Sequence, residues 1–413
     1  MNRRAPIAFA LALLASLVLA RQARAQDFTS RGFAEIRTLA YPQVTPQDDD
    51  RLALEGQLRF EAAYKPADWL TVSASTDARL DNLEQVVRRW RLDFRDRGLQ
   101  RPALSIRQAS ATIREGHLTA EVGKQFIRWG KADVLTPTDR FAPRDFLEVT
   151  DGEFLAVTGA RIQYEKGPYS LDLVWVPWFT PSRIPLLNRR WSPIPPPLAP
   201  ASFSGTVNFP SRPQYGLRWG FNGAGYEFSL SYFDGFNHLP EILPDPVQLP
   251  VIQLRRSYPP LKMAGADAAV PLSWFTVKAE AAFLKTSSPT ADDLVLYVIQ
   301  LERQAGELSL VAGYAGEVVT TRRSLFTFAP DRGLARAFLG RASYTIDTNR
   351  SVALEAAVRQ NARGAWVKTE YSQGAGLHWR TTVAGTLIGG REQDFFGQFR
   401  RNSHLLATLR YSF

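Results

Sequence analysis

The chain has 413 residues, and its 50 lysines and arginines exceed its 40 aspartates and glutamates, which gives a formal net charge of +10. Cysteine is absent, which excludes disulfide bonds and thiolate metal sites. A modest positive excess can attract anions or lipid phosphates, but it does not by itself indicate nucleic acid. The sequence therefore predicts no nucleic-acid partner and no cofactor.

The amino-terminal segment has the three-part pattern of a bacterial signal peptide. Arg3 and Arg4 precede an apolar run over residues 5–20, and Ala23 and Ala25 are small residues at the two positions that a signal peptidase reads. The run is shorter than the roughly 20 apolar residues that span a bilayer. We therefore expect export, with a signal peptide over residues 1–25 and a mature domain over residues 26–413.

The mature chain alternates between apolar and polar residues in many short segments. Over residues 52–64 almost every even position is apolar, whereas polar residues occupy the odd positions, and residues 70–80 repeat the pattern. Residues 404–413 do the same and end on the aromatic Phe413. This alternation is typical of a wall between lipid and water. Because a free strand edge cannot lie in hydrocarbon, the wall must close into a barrel.

Short turns separate the alternating segments at fairly regular intervals. They predict an all-β fold, a transmembrane antiparallel up-and-down β-barrel of about 18 strands, with 16 as the alternative. The turns are predicted at residues 65–68, 115–116, 166–168, 222–225, 270–271, 305–306, 347–349 and 374–376.

Long connections alternate with the short turns and are expected to carry the function. The proline-rich fourth one is a poor strand and is expected to form an ordered lid or plug, with a disordered surface loop as the alternative. In the second one, apolar residues at helix-like spacing predict a short amphipathic helix with arginines that bind lipopolysaccharide phosphates, attract anionic solutes or remain solvated. The long connections are predicted at residues 42–50, 81–101, 129–154, 181–212, 237–260 and 322–333.

The third long connection is the densest candidate site. Charges of both signs recur every few residues between prolines, which restrict the backbone. One interpretation folds this loop into the lumen as a constriction that filters solutes by charge. The other has its carboxylates and arginines form ion pairs that fix the loop to the barrel wall. The candidate residues are Arg128, Lys131, Asp133, Asp139, Arg140, Arg144 and Asp145.

A second group of candidates lies opposite the apolar face of the strands, where side chains would line a water-filled lumen. On the lipid face an arginine or lysine would cost about 2–4 kcal/mol at mid-membrane, so the systematic placement of charges opposite the apolar face favours a lumen. These residues are Glu55, Arg59, Asp77, Arg79, Glu121, Asp172, Lys278, Glu280, Glu355 and Arg359.

A motif in the third connection resembles a known family. The run VGKQFIRWGKAD over residues 122–133, followed by PTD at 137–139 and PRD at 143–145, resembles the signature of uncharacterised proteobacterial outer-membrane barrels related to alginate-export-type porins. The resemblance implies a porin-like barrel. It also implies that the aromatic carboxy-terminus is recognised by the barrel-insertion machinery.

These observations predict a porin-like channel in the bacterial outer membrane, for passive diffusion or export of small anionic or polar solutes. Its expected partners are outer-membrane lipid and lipopolysaccharide, the barrel-assembly machinery and a polar small-molecule solute. The alternative is a closed barrel that acts as an adhesin or assembly partner. A hydrolase is less favoured, because the four histidines lack zinc-ligand spacing and no Gly-x-Ser-x-Gly motif is present.

Overall fold

The structure is a computed structural model that describes residues 27–133, 135–193, 202–244, 251–323 and 329–413. The expected signal peptide lies outside the described residues. Within them, 18 strands form one antiparallel barrel. They are β1 (Phe28–Ala40), β2 (Leu52–Ala67), β3 (Leu70–Asp81), β4 (Arg101–Glu115), β5 (Leu118–Gln125), β6 (Val157–Lys166), β7 (Tyr169–Val176), β8 (Gln214–Gly223), β9 (Tyr226–Phe236), β10 (Pro260–Pro271), β11 (Thr276–Thr286), β12 (Asp293–Ala305), β13 (Leu308–Thr321), β14 (Ala337–Thr345), β15 (Arg350–Arg359), β16 (Gly364–Ala375), β17 (Trp379–Gly390) and β18 (His404–Ser412).

The barrel closes where the first strand pairs with the last. The register runs from Phe33 opposite Ser412 to Ala40 opposite Leu405. The side chains of Arg410 and Glu35 meet across this seam at 2.6 Å. The prediction of a closed barrel of about 18 strands is confirmed.

The two faces of each strand follow the alternation in the sequence. On β2, Leu58 and Phe60 are exposed on the outside, whereas the side chain of Arg59 lies between them in sequence and forms ion pairs inside the barrel. On β18, Leu405 and Leu409 are exposed on the outer face. The barrel therefore presents an apolar outer surface and a polar interior.

Eight short turns lie at one end of the barrel, here called the turn end, and the long connections lie at the other, the loop end. Gly116 and Gly306 occupy turn positions with φ of 55° and 60°, which glycine adopts without steric cost. The turn predicted at residues 65–68 lies slightly later, because β2 continues through Ala67.

Nine connections lie at the loop end, three more than the sequence indicated. The additional ones are residues 287–292, 360–363 and 391–403. The first two are about as short as the turns, so their length does not distinguish them. The third contains a 3₁₀ helix, Gly397–Asn402.

The prediction of an amphipathic helix in the second long connection is wrong. Residues Val86–Arg91 form a strand that pairs in parallel with the loop end of β4. β5 ends at Gln125, so β4 has an open edge beyond it, and the inserted strand satisfies that edge. The unpaired backbone groups at the open edge of β4 outweigh the helical spacing of the apolar residues in this segment.

The remaining connections contain short elements of their own. No helix in the described parts of the chain is long and apolar enough to cross a membrane. The short elements are the pair Arg144–Asp145 and Glu153–Phe154, the sheet of Ser202–Asn208, Glu241–Pro244 and Val251–Ser257, and the single-turn helix Pro330–Gly333.

Candidate pore interior

The third connection, residues 126–156, lies inside the barrel and is called the inner loop. Its Trp129 and Phe141 are buried and pack edge-on, with ring centroids 5.2 Å apart. Phe141 also packs against Phe233 of β9 at 4.9 Å, and Met263 of β10 belongs to the same buried cluster. Apolar burial therefore holds the first half of the inner loop against the wall.

Glu280 of β11 is the main polar anchor of this half. Its buried carboxylate accepts the backbone N–H groups of Lys131 at 3.0 Å, Ala132 at 3.3 Å and Thr138 at 2.7 Å. It also accepts the Thr138 hydroxyl at 2.8 Å. Hydrogen bonds to a charged acceptor are stronger than neutral ones, so this single wall residue fixes the backbone of a whole turn of the loop.

Asp172 of β7 forms a second anchor. Its carboxylate accepts Nε1–H of Trp129 at 2.9 Å and pairs with Arg161 of β6 at 2.6 Å. Glu121 of β5 lies directly opposite Arg161 in the strand register. The predicted wall residues Glu121 and Asp172 thus lie on the inner face, and Asp172 contacts the loop.

The tip of the inner loop carries charges that reach the wall near the turn end. Lys131 Nζ lies 2.9 Å from Glu227 and 3.4 Å from Asp267. Asp133 accepts a hydrogen bond from Gln300 and lies 3.8 Å from Nζ of Lys278. The predicted wall residue Lys278 therefore meets the loop tip.

The pKa of Asp133 depends on groups of β11, β12 and β14. Burial acts to raise this pKa, but the hydrogen bonds with Glu302 and Gln300 and the charges of Lys278 and Arg341 hold it below its ordinary value. Arg341 belongs to β14, whereas Lys278 belongs to β11. Charges on strands to both sides of β12 therefore act on the loop tip.

The second half of the inner loop is held by buried ion pairs. Asp145 lies between Arg101 of β4 at 3.0 Å and Arg183 of the next connection at 3.1 Å, and all three side chains are almost fully buried. Burial acts to raise the pKa of Asp145, but the two guanidinium groups hold it well below its ordinary value. Asp145 is therefore an anionic anchor between two long connections and the wall.

Glu153 joins three predicted wall residues. Its carboxylate lies 2.7 Å from Arg59 and 2.6 Å from Arg79, and these two arginines also bind Asp77 at 2.7 Å and 3.0 Å. Burial opposes ionisation of Glu153, but the charges of Arg79 and Arg59 lower its pKa to about 2. The four groups form a closed network on the wall of β2 and β3.

Glu55 lies in a related network nearer the loop end. It is 3.2 Å from Arg37 and 3.7 Å from Arg101. Arg37 in turn binds Asp151 of the inner loop at 2.8 Å and lies 3.6 Å from Glu148. Burial, followed by the charge of Glu55, raises the pKa of Glu148 well above its ordinary value. Burial and the charge of Glu55 therefore disfavour the anionic form of Glu148.

The side chain of Asp139 forms its contacts within the inner loop itself. Its carboxylate accepts the backbone N–H groups of Trp129 at 2.5 Å and Gly130 at 2.7 Å, and it pairs with Arg128 at 3.3 Å. These contacts give Asp139 a positioning role within the loop.

The arginines of the inner loop have aromatic and backbone partners. Arg128 and Arg144 lie over the ring of Phe154, at 4.0 Å and 4.2 Å from its centroid. Arg140 donates to the carbonyl of Thr136 at 3.4 Å. The side chain of Arg128 is 44% exposed, which makes it the most accessible of these cations to a solute.

The inner face of β14–β16 carries a layer of alternating charge. Arg341, Glu355 and Lys368 lie directly opposite one another on the three neighbouring strands. Arg341 is exposed, and Glu355 and Lys368 are half-buried. We call these residues the charged layer. Of the predicted wall residues, only Glu355 belongs to it.

Arg359 of β15, a predicted wall residue, contacts the long connections. It donates to the backbone carbonyls of Arg332 and Gly333 and lies 3.4 Å from Asp394. These partners belong to two long connections, so Arg359 fixes loops at the loop end.

An apolar cluster lies on the loop-end side of the charged layer. Leu339 and Trp366 of the wall are each two residues from a member of the charged layer, and they pack with the buried Trp191 of the fourth connection. Trp191 in turn contacts Phe399 of the last connection, with ring centroids 5.8 Å apart. We call this the lid cluster; its buried members are Ala132, Leu135, Phe146, Ile184, Trp191, Val298, Ala315, Ala337, Leu339, Ala357, Trp366, Ile388, Phe396 and Phe399.

Sequence reasoning missed several of these anchors. Lys124, which falls in the apolar register of β5, is 2% exposed, donates to the carbonyl of Ile106 at 2.8 Å and lies 3.7 Å from Asp96. Gly123, at φ +127°, disturbs the alternation just before it. Asp96 also binds Arg183 at 2.6 Å. No local signal links these residues, because they come from three different segments of the chain.

Comparison with solved structures gives the fold a place among known barrels. The chain is similar to OpdQ of Pseudomonas aeruginosa, with a TM-score of 0.52 and 9% identity, over 94% of this chain and 98% of that one. It is also similar to OccK11 (OpdR) of the same organism, with a TM-score of 0.50 and 10% identity over 94% of both chains. No family model and no curated protein sequence matches the chain. The two similar structures are outer-membrane porins, and at this identity the likeness shows a porin-type barrel fold.

Proposed function

We propose that this protein is a porin-like channel of the bacterial outer membrane for small anionic or polar solutes, by passive diffusion or export. The observation that supports it best is the position of the inner loop. Polar contacts anchor the loop to β1–β4 and to β7–β12. Among the described residues, the charged layer on β14–β16 forms no hydrogen bond or ion pair with the loop, and its Arg341 is exposed. A solute path between the loop tip and this layer would pass Asp133, Arg341 and Lys368.

The mixed charge along the path predicts weak rather than strong selectivity for the charge of the solute. Asp133 and Glu355 oppose Arg341 and Lys368, and Arg128 adds a further accessible cation. Selectivity in such pores follows the charged groups at the narrowest point. We propose that the inner loop forms this constriction, with anchors that hold it at a fixed distance from the charged layer.

Planar-bilayer recording of the purified protein tests the channel. Discrete conductance steps and a reversal potential in a salt gradient are expected. Arg341→Gln with Lys368→Gln should shift the reversal potential towards cations, because both remove positive charge from the path. Glu355→Gln, in the same layer, is the matched control and should shift it towards anions. Equal reversal potentials in all variants would contradict this path.

The closed barrel stays as the second candidate, and the lid cluster favours it. Apolar side chains from three long connections meet there and pack on the wall. If purified protein gave no conductance steps at any voltage while remaining folded, the closed barrel would replace the channel. A hydrolase is less favoured than either barrel function, because both ring nitrogens of His238 and Nδ1 of His404 face backbone carbonyls.

The solute and the assembly partner are further proposals. The signature at residues 122–145 supports a relation to alginate-export-type porins, and liposome swelling with a uronate against a neutral sugar of equal size tests that substrate class.

Phe413 lies exposed on the lipid face and pairs through its backbone with Gly32. We propose that it is read by the barrel-assembly machinery, so removal of Phe413 should slow formation of folded barrel in vivo.

A further inference from the structure

A group of cations lies on the lipid-facing side of the barrel, apart from the pore interior. Lys262 of β10 and Lys285 of β11 lie directly opposite each other in the register. Both are exposed and fall in the same alternation as the outward apolar residues Phe283 and Tyr232. Two like charges directly opposite each other on one face destabilise a sheet, unless a counter-charge lies between them.

The protein itself supplies little counter-charge here. Asp234 of β9 is the cross-strand neighbour of Lys262, at 3.8 Å, and it also binds Arg212 at 2.7 Å. Among the described residues, Lys285 has no hydrogen bond or ion pair, and the nearby Asp293 is bound to Arg323 at 2.9 Å. Among the described residues, Arg212 and Lys262 therefore share one carboxylate, and Lys285 has only the charge of Asp293, which Arg323 already binds. We call Arg212, Lys262 and Lys285 the rim cations.

The depth of the rim cations matches a membrane surface. Lys262 lies about 27 Å along β10 from Val270 at the turn end, because each residue advances about 3.4 Å. At a strand tilt of about 40° this is about 21 Å of depth, close to the apolar band of about 25 Å. Tyr232 and Phe283 lie one step deeper on the same face. The lysines thus lie where an apolar layer ends and anionic headgroups begin.

We propose that the rim cations bind the phosphate groups of a phosphorylated glycolipid in the outer leaflet, the lipid A part of lipopolysaccharide. Arginine and lysine form strong charge-assisted hydrogen bonds to phosphate, and an acyl chain fits beside Tyr232 and Phe283. The inference rests on the proposed outer-membrane location, which sets the loop end at the outer leaflet. It does not depend on whether the barrel conducts.

Native mass spectrometry of the detergent-solubilised full chain, titrated with lipid A, tests the proposal. Wild-type protein should bind lipid A that carries two phosphates more tightly than the dephosphorylated form. Each cation near a lipid surface contributes about fivefold in affinity, so Lys262→Gln with Lys285→Gln should weaken binding by about 25-fold. Lys262→Arg with Lys285→Arg should retain it.

Arg303→Gln is the matched control. Arg303 is also exposed on the lipid face, but it lies at the turn end over the ring of Trp274. This variant should bind lipid A like wild type. Inorganic phosphate at the same concentration should not displace the lipid. Equal binding by the glutamine variants and wild type, or equal binding of the dephosphorylated lipid, would overturn the proposal, whereas absent conductance would bear on the channel alone.

Discussion

Asp145 shows how a buried charge can fix a loop without contacting a solute. It neutralises Arg101 and Arg183, and each of these arginines keeps one further carboxylate, Glu55 and Asp96 respectively. Removing one member of a buried ion pair typically costs about 3–5 kcal/mol, because the partner charge stays buried. The contribution of Asp145 is therefore to position the inner loop.

The substitution Asp145→Asn should lower the free energy of unfolding by about 3 kcal/mol, near the lower limit for a broken buried pair because each arginine keeps a partner. Glu148→Gln, in the adjacent network, should cost less than Asp145→Asn, since burial and the charge of Glu55 raise the pKa of Glu148 and disfavour its anionic form. Denaturant unfolding of both variants in the same detergent measures the difference. Equal losses in the two variants would contradict this difference between the two carboxylates.

His238 makes the contact between three long connections dependent on pH. Its ring is buried, stacks on Phe179 with 5.2 Å between centroids, and faces the carbonyls of Thr180 and Arg140. Burial lowers its pKa to about 4, from an ordinary value of 6.5. The two carbonyls act to raise this pKa, but burial outweighs them and favours the neutral ring in the folded protein.

As pH falls from about 6.5 to about 4, the unfolded chain binds a proton at His238 while the folded chain does not. The stability that this site contributes is complete above pH 6.5 and is lost progressively over that interval, by about 3 kcal/mol in total. Hydrogen exchange of the backbone near Arg140 and Thr180 should accelerate at pH 4.5. His238→Phe should remove most of the acceleration, and His117→Phe, at an exposed turn, should not.

At the scale of the element, Glu280 is the main polar anchor of the first half of the inner loop. Glu280→Gln keeps the shape of the side chain but turns an amide N–H₂ towards backbone N–H donors. At least one of those donors then lacks a partner, at a cost of about 1–3 kcal/mol for a buried group. Fluctuations of single-channel current should increase, and exchange at residues 131–138 should rise. Glu355→Gln is the control: its carboxylate makes no hydrogen bond with the described residues, so this variant should leave the current fluctuations and the exchange unchanged. If Glu280→Gln also changed neither quantity, apolar packing alone would hold the loop.

The strands could be predicted from sequence because their period is local, and a register error would expose a whole apolar face. The structure of the connections could not be predicted in this way. Residues Val86–Arg91 have helical spacing, but an open edge of β4, set by the early end of β5, makes them a strand. The charged residues of the inner loop were found as candidates, yet their partners Arg101, Arg183 and Glu280 come from distant segments. Only the closed barrel brings them together, so their roles could not be read from spacing.

At the scale of the whole molecule, the lid cluster is the part that separates an open from a closed barrel. Trp191 is 1% exposed, and its neighbour Arg190 lies over the ring of Tyr41 at 3.7 Å and donates to the carbonyl of Gln43. Asn402 donates to the carbonyl of Arg190 at 3.0 Å. The first, fourth and last connections therefore meet at one point above the charged layer.

The substitution Trp191→Ala should loosen this meeting point, since truncation of a buried tryptophan to alanine costs about 3–5 kcal/mol. If the lid cluster restricts the path, the mean single-channel conductance should rise, with more frequent open events. Trp274→Ala, at an exposed lipid-facing site of the turn end, should leave conductance unchanged. If Trp191→Ala lowered the stability without changing the conductance, the restriction would lie elsewhere, between the inner-loop tip and the charged layer. Arg341→Gln would then be the variant that tests it.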